Sequence, residues 1–195
     1  MAAAADDGQN TPLMPFGNHP EIALFFFCGN HLSLANGSGL LGPEGLIRSL
    51  VDQLLAQWPY DEPPQISDLS QRTRKFQAHN PDAFLDLGLD DLCFMFERIL
   101  GQLGPEYPVC CIIDGVSHFE TGLHGWRNDI LYLVECFQGI ISSRLDQDAI
   151  NEVASVKVLL VGMDKSMVVR SVVPMDDHLE LRAGRMATRS WLRSP

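Results

Sequence analysis

Lysine is scarce in this chain. Only three of its 195 residues are lysines (Lys75, Lys157 and Lys165), and none follows a glycine. The phosphate-cradling signature G-x-x-x-x-G-K-[ST] needs glycines that free backbone N–H groups and a lysine that meets the phosphates, so it is absent. Positive charge is short overall, with 14 basic side chains against 25 acidic ones and a net charge of −11. No basic stripe overrides that balance, which repels a phosphate backbone and argues against nucleic-acid binding. Long apolar runs are lacking too. None reaches the roughly 18–20 residues of a membrane-spanning helix. The opening "MAAAADDGQN" has neither the positive n-region nor the apolar core of a secretory signal. The five cysteines show no C-x-x-C spacing, which removes the usual zinc framework. Cys28, Cys110 and Cys111 sit in strand-like apolar runs and Cys93 and Cys136 in helix-like ones. They read as free thiols acting as small core hydrophobes in a reducing cytoplasm.

What remains is an ordinary globular composition, 46% apolar and 20% charged. One domain is the expectation at this length. Residues 1–20 are small, polar and proline-bearing, and read as a loose leader. "EIALFFFCGN" (21–30) has the short continuous apolar run of a strand buried on both faces. In "GPEGLIRSLVDQLLAQW" (42–58), Ile47, Leu50, Val51, Leu54, Leu55 and Trp58 share one helical face. Pro43 suits the first turn, where a missing N–H is no loss. A second stripe runs through Leu89, Leu92, Cys93, Phe96, Ile99, Leu100 and Leu103, and Gly104-Pro105 ends it. "YPVCCIID" is a second buried strand. "GWRNDILYLVECFQGII" (125–141) is a third helix, through Ile130, Leu133, Val134, Phe137 and Ile140. "SVKVLLVG" (155–162) is a third strand. A helix near Lys165–Val173 and a short strand at His178–Arg182 follow. Buried strands alternating with amphipathic helices predict an α/β fold with a mostly parallel sheet.

Ligands of such sheets gather at the carboxyl ends of the strands. Gly29-Asn30-His31, Asp114-Gly115 and Gly162-Met163-Asp164 are presented there. Apolar residues running into Asp114 have the form of a Walker B strand, whose carboxylate orients the water ligands of magnesium beside nucleotide phosphates. The same pattern is also that of a plain Asp-Gly turn. The glycine-rich "NGSGLLGPEG" (36–45) precedes a helix but contains no lysine, and its first base is Arg48 inside the helix. It reads as an ordinary loop. Asp114, Glu120 and Asp129 form an alternative acidic metal cluster. Ser117 and His118 are adjacent in sequence, but no G-x-S-x-G elbow surrounds them.

Four segments in order carry a resemblance: "ALFFFCGN", "GPEGLIRSLVDQLLAQW", "VCCIIDGVSHFE" and "VKVLLVGMDKS". Together they resemble the NACHT-type STAND NTPases, in particular the fungal nephrocystin-like branch, over roughly residues 21–182. The resemblance implies a three-layer P-loop NTPase sheet, here truncated at its N-terminal strand. It also implies a cytoplasmic switch that couples ATP or GTP with magnesium to self-association or protein partners. Asp114 would match the magnesium aspartate, with Gly115 beside it. Asp164 and Lys165 would fall in the sensor 1 region that faces the γ-phosphate, and Glu120 would be the acid closest to the water-orienting position. The Walker A strand should lie before residue 21, so residues 21–182 are expected to be a partial domain followed by a tail at 183–195. Weak or absent hydrolysis follows from the lacking lysine. The sensor 1 strand, deprived of its neighbour, would expose an edge. The leader, the "HLELR" segment or a second chain is expected to fill it.

Overall fold

In the computed structural model of the protein, the described residues are 21–32, 40–66, 87–120, 125–148, 153–162 and 166–174. They form an α/β unit built on a three-stranded parallel sheet. The elements are β1 (Ile22–Phe27), α1 (Gly42–Ala56), α2 (Leu89–Leu100), β2 (Val109–Asp114), α3 (Arg127–Asp148), β3 (Val156–Val161) and α4 (Met167–Val172). Short 3-10 turns follow β1 at Cys28–His31 and β2 at Val116–Glu120. The expected strand at His178–Arg182, the leader 1–20 and the tail 183–195 lie outside the described residues.

The helices form where the apolar stripes place them. In α1, Ile47, Leu50, Val51 and Leu54 are fully buried, and Pro43 stands in the first turn. Gly42 has φ +61°, and a Cβ there would lie 2.7 Å from the Trp126 ring, so the α1 start requires glycine. Acidic Asp90 and Asp91 sit in the first turn of α2, where the helix dipole favours them. The α3 helix runs to Asp148, seven residues beyond the apolar run that announces it. Arg144 explains the extension. It takes the next position on the buried stripe after Ile140, and its guanidinium donates to the Ala154 carbonyl at 2.7 Å. A reading by apolar periodicity stops about two turns early when an arginine fills a core position.

The sheet order is β1-β2-β3, with both pairs parallel. Parallel crossovers are right-handed almost without exception, so two that step in the same direction deliver their helices to one face. The α1, α2 and α3 helices do pack against one another on one side. There the sheet contributes Ile22, Leu24, Phe26, Val109, Cys111, Ile113 and Val156 to the core. The other face carries Phe25, Phe27 and Leu159, which are 45%, 52% and 51% exposed. The expected burial on both faces is therefore not seen among the described residues. Continuous apolar runs produced that expectation, and these strands have such runs with one face open.

The two edges of the sheet differ. The outward backbone of β1 is met by side chains of α1. The Phe25 N–H donates to Gln53 Oε1 at 2.9 Å, Gln53 Nε2 donates to the Phe25 carbonyl at 2.8 Å, and Gln57 Nε2 donates to the Ala23 carbonyl at 3.0 Å. Two glutamine amides thus stand where a neighbouring strand would be. Alternation along β3 turns Val156, Val158 and Leu160 away from β2, and no described strand pairs with them. The segments expected to fill that edge, 1–20 and 178–182, are outside the described residues.

The one-sided sheet sets a contrast in stability. Phe26→Ala, within the core, should lower the unfolding free energy by about 3–5 kcal/mol. Leu159→Thr, on the open face, should cost under about 1 kcal/mol. Urea denaturation of both variants measures the difference, and a comparable loss in the two would mean that the open face is covered in solution.

Candidate functional site

The carboxyl ends of the three strands lie side by side, with Phe27, Asp114 and Val161 in register across the sheet. Asp114 projects on the open face, half-buried between its two apolar neighbours. Beyond it the chain must turn sharply. Gly115 has φ +78°, and its N–H donates to the Val161 carbonyl at 2.7 Å. The His118 N–H then closes the 3-10 turn on the Gly115 carbonyl at 2.9 Å. A Cβ on Gly115 would lie 2.8 Å from His118 Cδ2, and one on Gly29 would lie 3.6 Å from His118 Nε2. The His118 ring therefore lies over two glycine backbones and bridges the ends of β1 and β2.

Behind this loop is an aromatic floor. Phe26 stacks on His31 with ring centroids 4.4 Å apart, and meets Phe119 at 6.4 Å. Phe119 in turn takes Trp126 edge-on at 5.5 Å. His31 Nδ1 is buried here with no hydrogen-bond partner among the described residues. Burial pushes the Cys28 thiol up to about 12, and the charge of Asp114 adds to the effect. That thiol is a core hydrophobe and not a nucleophile.

The Glu120 carboxylate, expected as the acid closest to the water-orienting position, meets the start of α4. It accepts from Ser166 Oγ and, at 2.8 Å, from the Met167 N–H. Ser166 Oγ also accepts from the Val169 N–H at 3.0 Å, which makes it the N-cap of that helix. Glu120 and Ser166 form a latch that holds the turn after β2 against α4.

Among the proposed site residues, Asp114, Gly115 and Glu120 are brought to the same end of the sheet. Asp164 and Lys165 lie outside the described residues. The N–H of Gly115 is committed to the sheet and the carboxylate of Glu120 to α4. Asp129 sits exposed in the first turn of α3. Among the described residues, no group of three or more His, Cys, Asp or Glu side chains is placed to hold a metal ion, so the acidic cluster of Asp114, Glu120 and Asp129 is not assembled. Arg48, the first base after the glycine-rich loop, points inward. It is 4% exposed and donates to Glu44 at 2.7 Å and to the Leu87 carbonyl at 2.9 Å. A groove of about 450 Å³ between α2 and α3 is lined by Glu97, Arg98, Gln102 and Arg144. It opens near the amino ends of the strands, away from Asp114.

Reading by residue type placed His31 at the end of the first strand without its stacking on Phe26, and missed the Glu120–Ser166 latch and the glutamine edge cap. A serine followed by an apolar run is a recognisable N-cap signal. Gln53 and Gln57, four apart on one helix, were visible as a pair but carried no sign of their target strand.

Comparison with known proteins gives no match: no family model, no curated protein and no solved structure is significantly similar to this chain. No helix among the described residues is long and apolar enough to cross a membrane.

Removal of the cap should be measurable. Ser166→Ala is expected to lower stability by about 1 kcal/mol. A cycle with Glu120→Ala should show a coupling of at least about 0.5 kcal/mol in urea denaturation. Strictly additive losses would dissolve the latch.

Proposed function

We propose that this chain is a partial STAND-type, P-loop-like module that binds ATP or GTP as a switch and hydrolyses it weakly or not at all. The observation that carries this reading is the position of Asp114. It ends the central strand of a parallel sheet, at the edge where ligands of such folds collect. The sheet rises beneath it on a rigid core, and Gly115 turns the chain away directly after the carboxylate. The half-buried site also fits a role in orienting magnesium-bound water, since magnesium keeps several waters and takes one or two protein carboxylates together with substrate phosphates.

The described residues fit the metal only in part. They supply one carboxylate, and no cradle of backbone N–H groups for phosphates is formed around it. Asp114 would hold magnesium through its waters, and phosphate contacts would have to come from groups beyond the described residues. When bound, a magnesium nucleotide would supply the charge that distinguishes the two states of the switch. The engagement of Glu120 by Ser166 and Met167 favours binding over hydrolysis, because it leaves that acid holding a helix and not a water molecule.

A second reading is a protein–protein interaction module that keeps the fold without the nucleotide. The apolar open face, with Phe25, Phe27, Leu159 and Val161 all exposed, favours it.

Titration of the purified chain with a fluorescent ATP analogue, with and without magnesium, separates the two. Magnesium-dependent binding that Asp114→Ala reduces at least about tenfold is the outcome expected of the switch. A folded chain that binds no analogue under either condition would leave the interaction module standing.

A further inference from the structure

We propose that Cys93 and Cys136 form an oxidisable dithiol, a modification site that joins α2 to α3 by a reversible disulfide. The argument starts from how the two helices meet. Their seam has three contacts in succession. Near the start of α2, the Tyr132 phenol donates to Asp90. One turn on, the thiols of Cys93 and Cys136 are hydrogen-bonded to each other. Beside them, one turn along α2 but only one residue along α3, the rings of Phe96 and Phe137 meet edge-on with centroids 6.1 Å apart. Residue numbers rise together on both sides, as they must for two helices that run parallel after parallel strands. The cysteines therefore meet across this seam, flanked by the Asp90–Tyr132 and Phe96–Phe137 contacts.

The two thiols are not equivalent. Cys93 is 2% exposed, whereas Cys136 is only half-buried, so a small oxidant in solvent meets Cys136 first. The hydrogen bond from Cys93 lowers Cys136 from its ordinary thiol value, against burial and the charge of Glu97, which raise it. Donation to Cys136 raises Cys93, and burial and the charges of Asp90 and Glu97 add to that. Cys136 is thus the attacking thiol and Cys93 the resolving one. The other three thiols lack this arrangement. Burial pushes Cys28 and Cys111 up to about 12, and Cys110 lies on the opposite face of the sheet from the helices.

The oxidant is a hydroperoxide. The Cys136 thiolate attacks one oxygen of hydrogen peroxide, the O–O bond breaks, and the other oxygen leaves as hydroxide, which becomes water on protonation. The sulfur is then a sulfenic acid. The Cys93 sulfur attacks it, the S–O bond breaks and a second water departs with the Cys93 proton. In total, two thiols and one hydrogen peroxide give one disulfide and two waters. A dithiol reductant reverses the step.

The test uses the folded full chain and hydrogen peroxide. After exposure, remaining thiols are alkylated and the protein is digested without reduction for mass spectrometry. The expected product is a Cys93–Cys136 cross-linked peptide that dithiothreitol removes, with Cys28 and Cys111 recovered alkylated. The oxidised chain should also unfold at a higher urea concentration than the reduced chain, since the bridge restricts the unfolded state. The Cys136→Ser variant should lose the cross-link, and Cys93→Ser should leave a Cys136 sulfenic acid that dimedone traps. If the buried Cys93→Ser chain does not fold, the wild-type digest and Cys136→Ser decide alone. A folded wild-type chain that yields Cys136 as a dimedone adduct without the cross-link would overturn the proposal. So would recovery of all five thiols alkylated, or a bridge between another pair.

Discussion

The handedness of the strand connections governs the rest of this structure. A parallel sheet obliges the chain to return to the same end after every strand, and the twist of the polypeptide makes each return right-handed. Both returns here step the same way, from β1 to β2 and from β2 to β3. The three long helices consequently gather on one side, and the core forms there and nowhere else among the described residues. The bare face, the parallel α2–α3 seam and the alignment of strand ends around Asp114 all descend from that one geometric rule. Burial energetics act within it. Phe96, Leu50 and Ile113 are fully enclosed because the helices land on their side, whereas Phe27 and Leu159, equally apolar, are not.

Much of this was legible in the residues. The stripe through Ile47, Leu50, Val51 and Leu54 gave α1 to within two residues of its observed end, and the three apolar runs gave the three strands. The α/β class followed from their alternation. What the sequence could not show was which face of each strand was covered. "IALFFF" is apolar at every position, so the period that would separate an inner from an outer face is absent, and only topology decides it. Helix α3 shows a second limit. Arg144 breaks an apolar pattern while occupying a core position, because its stem is apolar and its tip has a carbonyl to reach.

The site was legible in part. Asp114 stands at the end of the central strand, where the pattern "VCCIID" puts it. The role of Glu120 was hidden, since its partner Ser166 is 46 residues away and no local pattern links them. The Cys93–Cys136 contact was hidden for the same reason. Each cysteine sits in an apolar helix face and looks like filler until the seam places the two together. Side-chain identity reports what a residue can do, but the pairing that selects one use is a property of the fold.

The glutamines of α1 have a consequence for assembly. Chains that join edge to edge need two open edges each, one to receive a neighbour and one to offer. Here Gln53 and Gln57 already occupy one, so among the described residues only the β3 side is left to take a strand, and the sheet has no second edge to offer. Such a molecule ends a stack when it joins one. The protection resides in two amides on a helix, on the opposite side of the sheet from β3, the edge that no described strand covers.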